Sequence, residues 1–391
     1  MRNAASISRR TLLAASAATL FTSRIAFAKA QTDKRLVVII LRGALDGLAV
    51  MPPHGDPRYA DLRGDLAIRP PGALKSALPL DGFFGLHPAM VEMHRLYGAG
   101  EAVFFHAISS PYRQRSHFDG QDVLENGAGA PLAVNDGWLN RALTALPGAE
   151  ALAIGQNVPL ILRGEASAAS WAPSYLKAAD DDTVARLMRM YADDALLQPA
   201  LEMAAATDAA VGEMGARKRR GAAFKADAEA AAKLLAGENG ARIAVLQFGG
   251  WDTHVNQGAE TGQLANRLQQ LDAALGALKT GLGPAWKDTA VIVVTEFGRT
   301  ARVNGNRGTD HGAGAAAFVL GGAVNGGRIA ADWPGLGDRD LYENRDLRPT
   351  ADIRSVFKGV LHDHMKIPAA RLENDVFPDS AYAKLITGLV A

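Results

Sequence analysis

The stretch "RIAVLQFGGWDTH" (residues 242–254) decides the fold. Its first seven residues form an apolar run without the alternation of a half-buried strand. A run this short and β-branched suits a strand covered on both faces. Two glycines and a tryptophan follow, and then Asp252 and His254 with one residue between them. Four more runs have the same character: "RLVVIIL" (35–41), "AVFFHAI" (102–108), "TAVIVVT" (289–295) and "AAAFVLG" (315–321). "EALAIG" (150–155) and "VPLILRG" (158–164) add a further strand or a hairpin. Helical patterns lie between the runs. In residues 259–281, Leu264, Leu268, Leu271, Leu275 and Leu278 repeat at spacings of four and three, which makes one apolar helix face for packing on a sheet. Strands alternating with helices imply an α/β fold: a doubly wound, mostly parallel sheet with helices on both faces. Residues 174–240 are alanine-rich and helical in pattern, and read as a helical insertion in a single domain spanning 35–391.

Of 391 residues, 48% are hydrophobic and 21% charged, the balance of a soluble globular chain. A formal net charge of +1 gives no electrostatic footprint for nucleic acid. The absence of cysteine removes disulfides, thiolate nucleophiles and Cys-based metal sites. Any metal must be held by oxygen and imidazole nitrogen. At the N-terminus, "SISRRTLLAASAATLFTSRIAFAKA" (6–30) places Arg9 and Arg10 ahead of an apolar stretch that ends in a small-x-small cleavage site at Ala26–Ala28. Residues 1–28 read as a twin-arginine signal, with the twin-arginine export machinery as a partner and a periplasmic or secreted destination. An ordinary export signal or an N-terminal anchor is the competing reading. The stretch is short and alanine-rich for a membrane span, and no second long apolar segment follows, so no stable span is expected after cleavage.

In open α/β sheets, ligands bind beyond the carboxyl ends of the strands. "RLVVIIL" is followed by "RGALDGLAV", which carries Asp46. "AVFFHAI" is followed by "SSPYRQRSHFDGQD", with Ser109, Ser116, His117 and Asp119. "RIAVLQF" leads to Asp252 and His254. "TAVIVVT" is followed by "EFGRTARVNGNRGTDHGAG", with Glu296, Arg299, Asp310 and His311. Alone, each is weak: an Asp in a turn usually caps backbone, and a single His is more often structural than a ligand. Together they deliver carboxylate or imidazole to one edge from four strands. Two divalent ions clamping the oxygens of an in-line displacement need such a set. Asp46, Asp252, His254, Glu296, Asp310 and His311 would supply it. His117 is a seventh ligand or a general acid. Arg299 binds an anionic oxygen or makes a structural salt bridge. His362 and His364 suit the end of a helix opened by Asp352. His87 and His94 read as part of a surface helix, and His106 as a strand residue able to orient a ligand.

The order of export signal, "LRGALDGL", "SPYRQRSHFDGQD", "FGGWDTH", "TEFGRT" and "GTDHGAG" resembles the DUF1501 family of exported bacterial proteins from about residue 35 to the C-terminus. That family is similar to the alkaline phosphatase and sulfatase superfamily. The resemblance implies an alkaline phosphatase-like fold with a two-metal centre, in which Asp46 matches the metal-binding Asp of the first strand. One residue separates Asp252 from His254 where the superfamily has three, and Asp310-His311 lies well after "VIVVT", where Glu296 stands instead. By the same resemblance Ser116, at a helix start, is the candidate nucleophile, and a turn or N-cap role is the competing reading for it and for Ser109. Ser109 in "SSPYR" is its rival, on the pattern of sulfatases that convert a serine to formylglycine. The expectation is an exported hydrolase of phosphate or sulfate esters, or a related small anionic ester, with one or two divalent ions. Zinc comes first for the histidines, with manganese or calcium for the carboxylates. The alternative is a non-catalytic metal-binding or partner-binding exported protein on the same fold.

Overall fold

In strand β1 (Arg35–Arg42), Val37, Ile39 and Leu41 pack into one core layer and Leu36, Val38 and Ile40 into another; none is more than 1% exposed. Both faces of the sheet are therefore covered, which is why the run does not alternate. The computed structural model describes residues 32–173, 181–195, 197–211, 223–237 and 240–391. The export-signal reading of 1–28 lies outside them, as do parts of 174–240.

The remaining strands are β2 (Leu78–Pro79), β3 (Gly85–Leu86), β4 (Ala102–Ser109), β5 (Ala151–Ile154), β6 (Ala168–Trp171), β7 (Ile243–Gly249), β8 (Thr289–Thr295), β9 (Ala315–Leu320), β10 (Arg328–Ala330) and β11 (Ala351–Asp352). β2 and β3 form a small antiparallel pair. The others build one nine-stranded sheet in the order β10-β4-β9-β8-β1-β7-β5-β6, with β11 added to β4. β1 runs parallel to both β7 and β8, and β5 parallel to β7 and β6. The sheet is the mostly parallel one the sequence implied, with one reversal: β9 is antiparallel to both β8 and β4. No helix crosses over between β8 and β9, so the chain must return along the edge it has just left. That reversal carries Asp310 and His311, just before β9, to the edge where β1, β7 and β8 end.

On one face the helices Val91–Gly98, Ala223–Ala236 and Gln263–Leu282 cover the sheet, with Leu264, Leu268, Leu271, Leu275 and Leu278 all fully buried. On the other lie Trp138–Leu143 and Ile353–Asp363, where Trp138 stacks on Phe357 at 4.7 Å. Asp352 opens the latter helix by accepting a hydrogen bond from the Arg354 amide. Within 174–240 the described residues form helices at Asp181–Met190, Leu197–Val211 and Ala223–Ala236, and Phe224 of the last stacks on Phe248 at 4.1 Å. "VPLILRG" is no strand. Pro159 opens a 3-10 turn at Leu160–Leu162, and the Ile161 amide is taken by Glu125 Oε2, so β5 pairs with β6 instead.

His87 is not on a surface helix. It is fully buried, its Nδ1 accepts from the Ala89 amide and its Nε2–H donates to the Ala259 carbonyl. His106 orients no ligand either: Nδ1 accepts from the Ala107 amide and Nε2–H donates to the Met51 carbonyl. Burial pushes His106 and His364 down to about 4. An unfolded histidine titrates near 6.5, so the unfolded chain binds the extra protons first. The stability each neutral ring contributes is complete above that value and is lost as pH falls toward 4, by up to roughly 3 kcal/mol per ring. The free energy of unfolding in denaturant is expected to fall steadily as pH drops between these limits, with part of the slope gone in His364→Gln. A flat profile over that window would contradict the burial.

Candidate metal centre

Close backbone approaches assemble the site. After β1, Gly43 takes φ +118, and a Cβ there would lie 2.7 Å from the Asp252 amide nitrogen. Only glycine lets the turn after β1 close on the turn after β7. Trp251 is buried and its indole N–H donates to the Phe248 carbonyl, which fixes that second turn. A Cβ on Gly312 would meet the Arg299 carbonyl carbon at 2.4 Å, so the segment before β9 lies directly on the segment after β8.

Three imidazoles meet there, each held from behind through Nδ1. His117 Nδ1 lies 2.8 Å from Glu296 Oε1, His254 Nδ1 2.9 Å from Asp310 Oδ1, and His311 Nδ1 2.9 Å from the Arg115 carbonyl. Carboxylates and carbonyls accept, so each Nδ1 carries a proton, and in the neutral ring each Nε2 is left with a lone pair. The three Nε2 atoms gather on Asp252. His254 Nε2 is 2.9 Å and His311 Nε2 3.2 Å from Oδ1, and His117 Nε2 is 3.4 Å from Oδ2. His254 and His311 Nε2 stand 2.9 Å apart. His117 Nε2 is buried and has no hydrogen-bond partner. His117, Asp252 and His311 each bring one ligand atom within 4.8 Å of the others. Convergent imidazole nitrogens, an orphaned buried nitrogen and a carboxylate fit one divalent cation, and the group behind each ring is the usual outer support of a metal-binding histidine.

The other expected ligands stand elsewhere. Glu296 is fully buried, and its Oε1 accepts from the Gly43 amide at 2.8 Å and Gln121 Nε2 at 3.2 Å as well as from His117; Oε2 accepts from Thr295 Oγ1. Burial pushes its carboxyl up, but the bonds from His117 and its other donors outweigh this and hold it below the usual range. The bond to Glu296 in turn raises His117, making the ring a stronger base. Asp310 accepts from Asn304 Nδ2 at 3.0 Å as well as from His254, and these bonds, Asn304's first, lower its pKa. Asp46 is furthest from the ligand role. It N-caps Gly47–Val50 through the Ala49 amide, accepts from Gln257 Nε2 at 2.7 Å, and is ion-paired with Arg63, both partners buried. So Asp252, His254 and His311 come together with His117, Glu296 and Asp310 stand behind the rings, and Asp46 is spent on Arg63. Among the described residues one group is placed to hold an ion, His117, Asp252 and His311, with His254 Nε2 beside it at 2.9 Å from His311 Nε2.

Arg299 is 1% exposed and bonds Asp252 Oδ1 at 2.5 Å, with its other nitrogens on Thr309. It forms the salt bridge rather than presenting a free fork to an anion. Burial raises Asp252, but Arg299 outweighs it and the carboxyl falls below its ordinary value; burial lowers His311. Ser116 is the N-cap residue of helix His117–Asn126, after Arg115 at φ +64, and its hydroxyl makes no capping bond. Ser109 is buried and engaged, donating to the Ser110 carbonyl at 2.6 Å and accepting from Arg113 at 2.8 Å.

Glu296→Gln is expected to keep the fold and weaken metal binding about 10- to 100-fold, the usual effect of losing an outer-shell partner. Chelator competition measures this, and unchanged affinity would show that Glu296 does not support the ring.

The profile of a family described as "Protein of unknown function (DUF1501)" matches residues 33–376. No curated protein matches the chain. Among solved structures it is similar to the zinc complex of the C-terminal periplasmic domain of EcEptC from Escherichia coli, at 9% identity and TM-score 0.38 over 74% of this chain and 73% of that one. It is similar to a phosphonate monoester hydrolase of Agrobacterium radiobacter, at 10% identity and TM-score 0.36 over 84% and 73%. It is also similar to the PsFucS1 sulfatase from Pseudoalteromonas sp., at 13% identity and TM-score 0.40 over 98% and 78%. At such scores these likenesses carry no argument about chemistry.

Proposed function

The chain belongs to the DUF1501 family, and from that premise we propose that it is an exported, metal-dependent hydrolase of phosphate or sulfate esters. One observation carries the reading: three imidazole Nε2 atoms and Asp252 converge at the carboxyl edge of β1, β7 and β8. His117, His254, His311 and Asp252 hold a single ion. A nitrogen-rich set favours zinc over manganese or calcium. A divalent ion there supplies Lewis-acid polarisation of an ester oxygen. With one carboxylate among four ligands, the centre keeps net positive charge, which suits an anionic ester. Glu296, Asp310 and the Arg115 carbonyl keep the rings aimed, and Arg299 holds Asp252 in place. Ser116, at the positive end of a ten-residue helix beside His117, would attack the phosphorus or sulfur and break its bond to the ester oxygen, and the departing alcohol takes up the proton the serine hydroxyl gives up. Export through the twin-arginine machinery to the periplasm or beyond belongs to the same proposal. No described helix is long and apolar enough to cross a membrane.

A second reading is a metal-binding protein without catalysis. It is favoured by Ser116, whose hydroxyl makes no capping bond and, among the described residues, is held by no side chain that would serve as its base. The zinc-loaded protein decides between them on aryl phosphates and aryl sulfates. Turnover that falls at least about 100-fold in Ser116→Ala supports the hydrolase. Bound metal with no turnover of either ester supports the binding reading.

A further inference from the structure

A cleft of about 740 Å³ opens along the same sheet edge, over the ends of β1, β7 and β5. Arg42 and Gln247 line its floor, Phe118 and Gln121 come from helix His117–Asn126, and Gln156 and Asn157 from the loop after β5. The helix joins cleft to metal centre. Its first residue is a metal-facing histidine, the next is Phe118, and Gln121 donates to Glu296 at one end while accepting from Arg42 at 2.8 Å at the other. The volume suits a small-molecule site.

The lining selects against a second anion. Each of the three Arg42 nitrogens is engaged, by Gln247 at 2.6 Å, Gln121 at 2.8 Å and Glu125 at 2.7 Å. The two arginines of the lining face three carboxylates. The amides of Gln247, Gln156 and Asn157 offer donors and acceptors together, which matches hydroxyl groups that both donate and accept. Phe118 is 89% exposed and presents an uncovered ring at the rim. A flat apolar face beside amides and carboxylates suits a ring with one C–H face and a girdle of hydroxyls. We propose that this cleft is a subsite for uncharged sugar units of a glycan whose anionic ester sits at the histidine cluster. The ester half of this inference rests on the hydrolase reading; the sugar half does not.

Calorimetric titration of the full mature protein with neutral tetrasaccharides from β-glucan, galactan and mannan tests it, beside Phe118→Ala and the double variant Gln156→Ala/Asn157→Ala. At least one saccharide is expected to bind, about tenfold or more weakly in Phe118→Ala and weakly in the double variant. Turnover of small aryl phosphate and sulfate is expected to be unchanged in both. No binding of any of the three saccharides, or equal binding by the variants, overturns the subsite whatever the ester result. Saccharide binding lost in Phe118→Ala without any ester turnover keeps the subsite and removes the hydrolase reading.

Discussion

Asp252→Asn is expected to lower divalent-metal affinity by about 100-fold or more, and His311→Ala to do the same. Asp252 lies within 3.4 Å of all three Nε2 atoms and brings the one carboxylate of the set. Its loss leaves three neutral ligands and no charge to offset the ion, a larger defect than the 10- to 100-fold typical of an outer-shell change. Asparagine is the better test because it keeps an acceptor for Arg299, whose buried charge alanine would leave unpaired. Chelator competition on wild type and variants reads the effect. Affinity unchanged in both variants would show that the imidazoles and Asp252 form a hydrogen-bond cluster and nothing more.

Arg63→Ala is expected to destabilise the fold by about 3–5 kcal/mol, because it leaves the Asp46 carboxylate buried without its counter-charge. Asp46 is 1% exposed and Arg63 fully buried. Gln257 alone remains as a side-chain donor to Asp46, and its Oε1 is already shared by Thr253 and Thr309. Replacing both partners, as Asp46→Leu/Arg63→Met, removes the stranded charge and recovers most of the loss. Urea unfolding of the single and double variants separates the two. An Arg63→Ala variant as stable as wild type would show that Asp46 does not depend on the pair and is open to another cation.

The strands were legible because burial on both faces writes itself as an unbroken apolar run, as in Leu36–Leu41, and the covering helix because five leucines from 264 to 278 share one face. The direction of β9 was not, since "AAAFVLG" has the same hydrophobicity read either way. Strand-end position singled out the acids and histidines of the centre, but not their order. Whether a carboxylate reaches an ion or the back of an imidazole depends on bonds such as Glu296 to His117, which the spacing along the chain does not encode. Gln121 and Asn304, which support Glu296 and Asp310, are amides with no pattern of their own. Arg63, which takes Asp46 out of the ligand set, lies in the short helix Tyr59–Arg63, away from every strand end.

The most direct measurement is the metal content of the wild-type protein, purified with zinc present and then freed of excess, by elemental analysis and native mass spectrometry. One tightly held ion per chain is the expected result, because the Nε2 atoms of His117, His254 and His311 all lie within 3.4 Å of an Asp252 oxygen while Asp46, Glu296 and Asp310 are committed to other partners. No ion, or two, would contradict a single centre on His117, His254, His311 and Asp252.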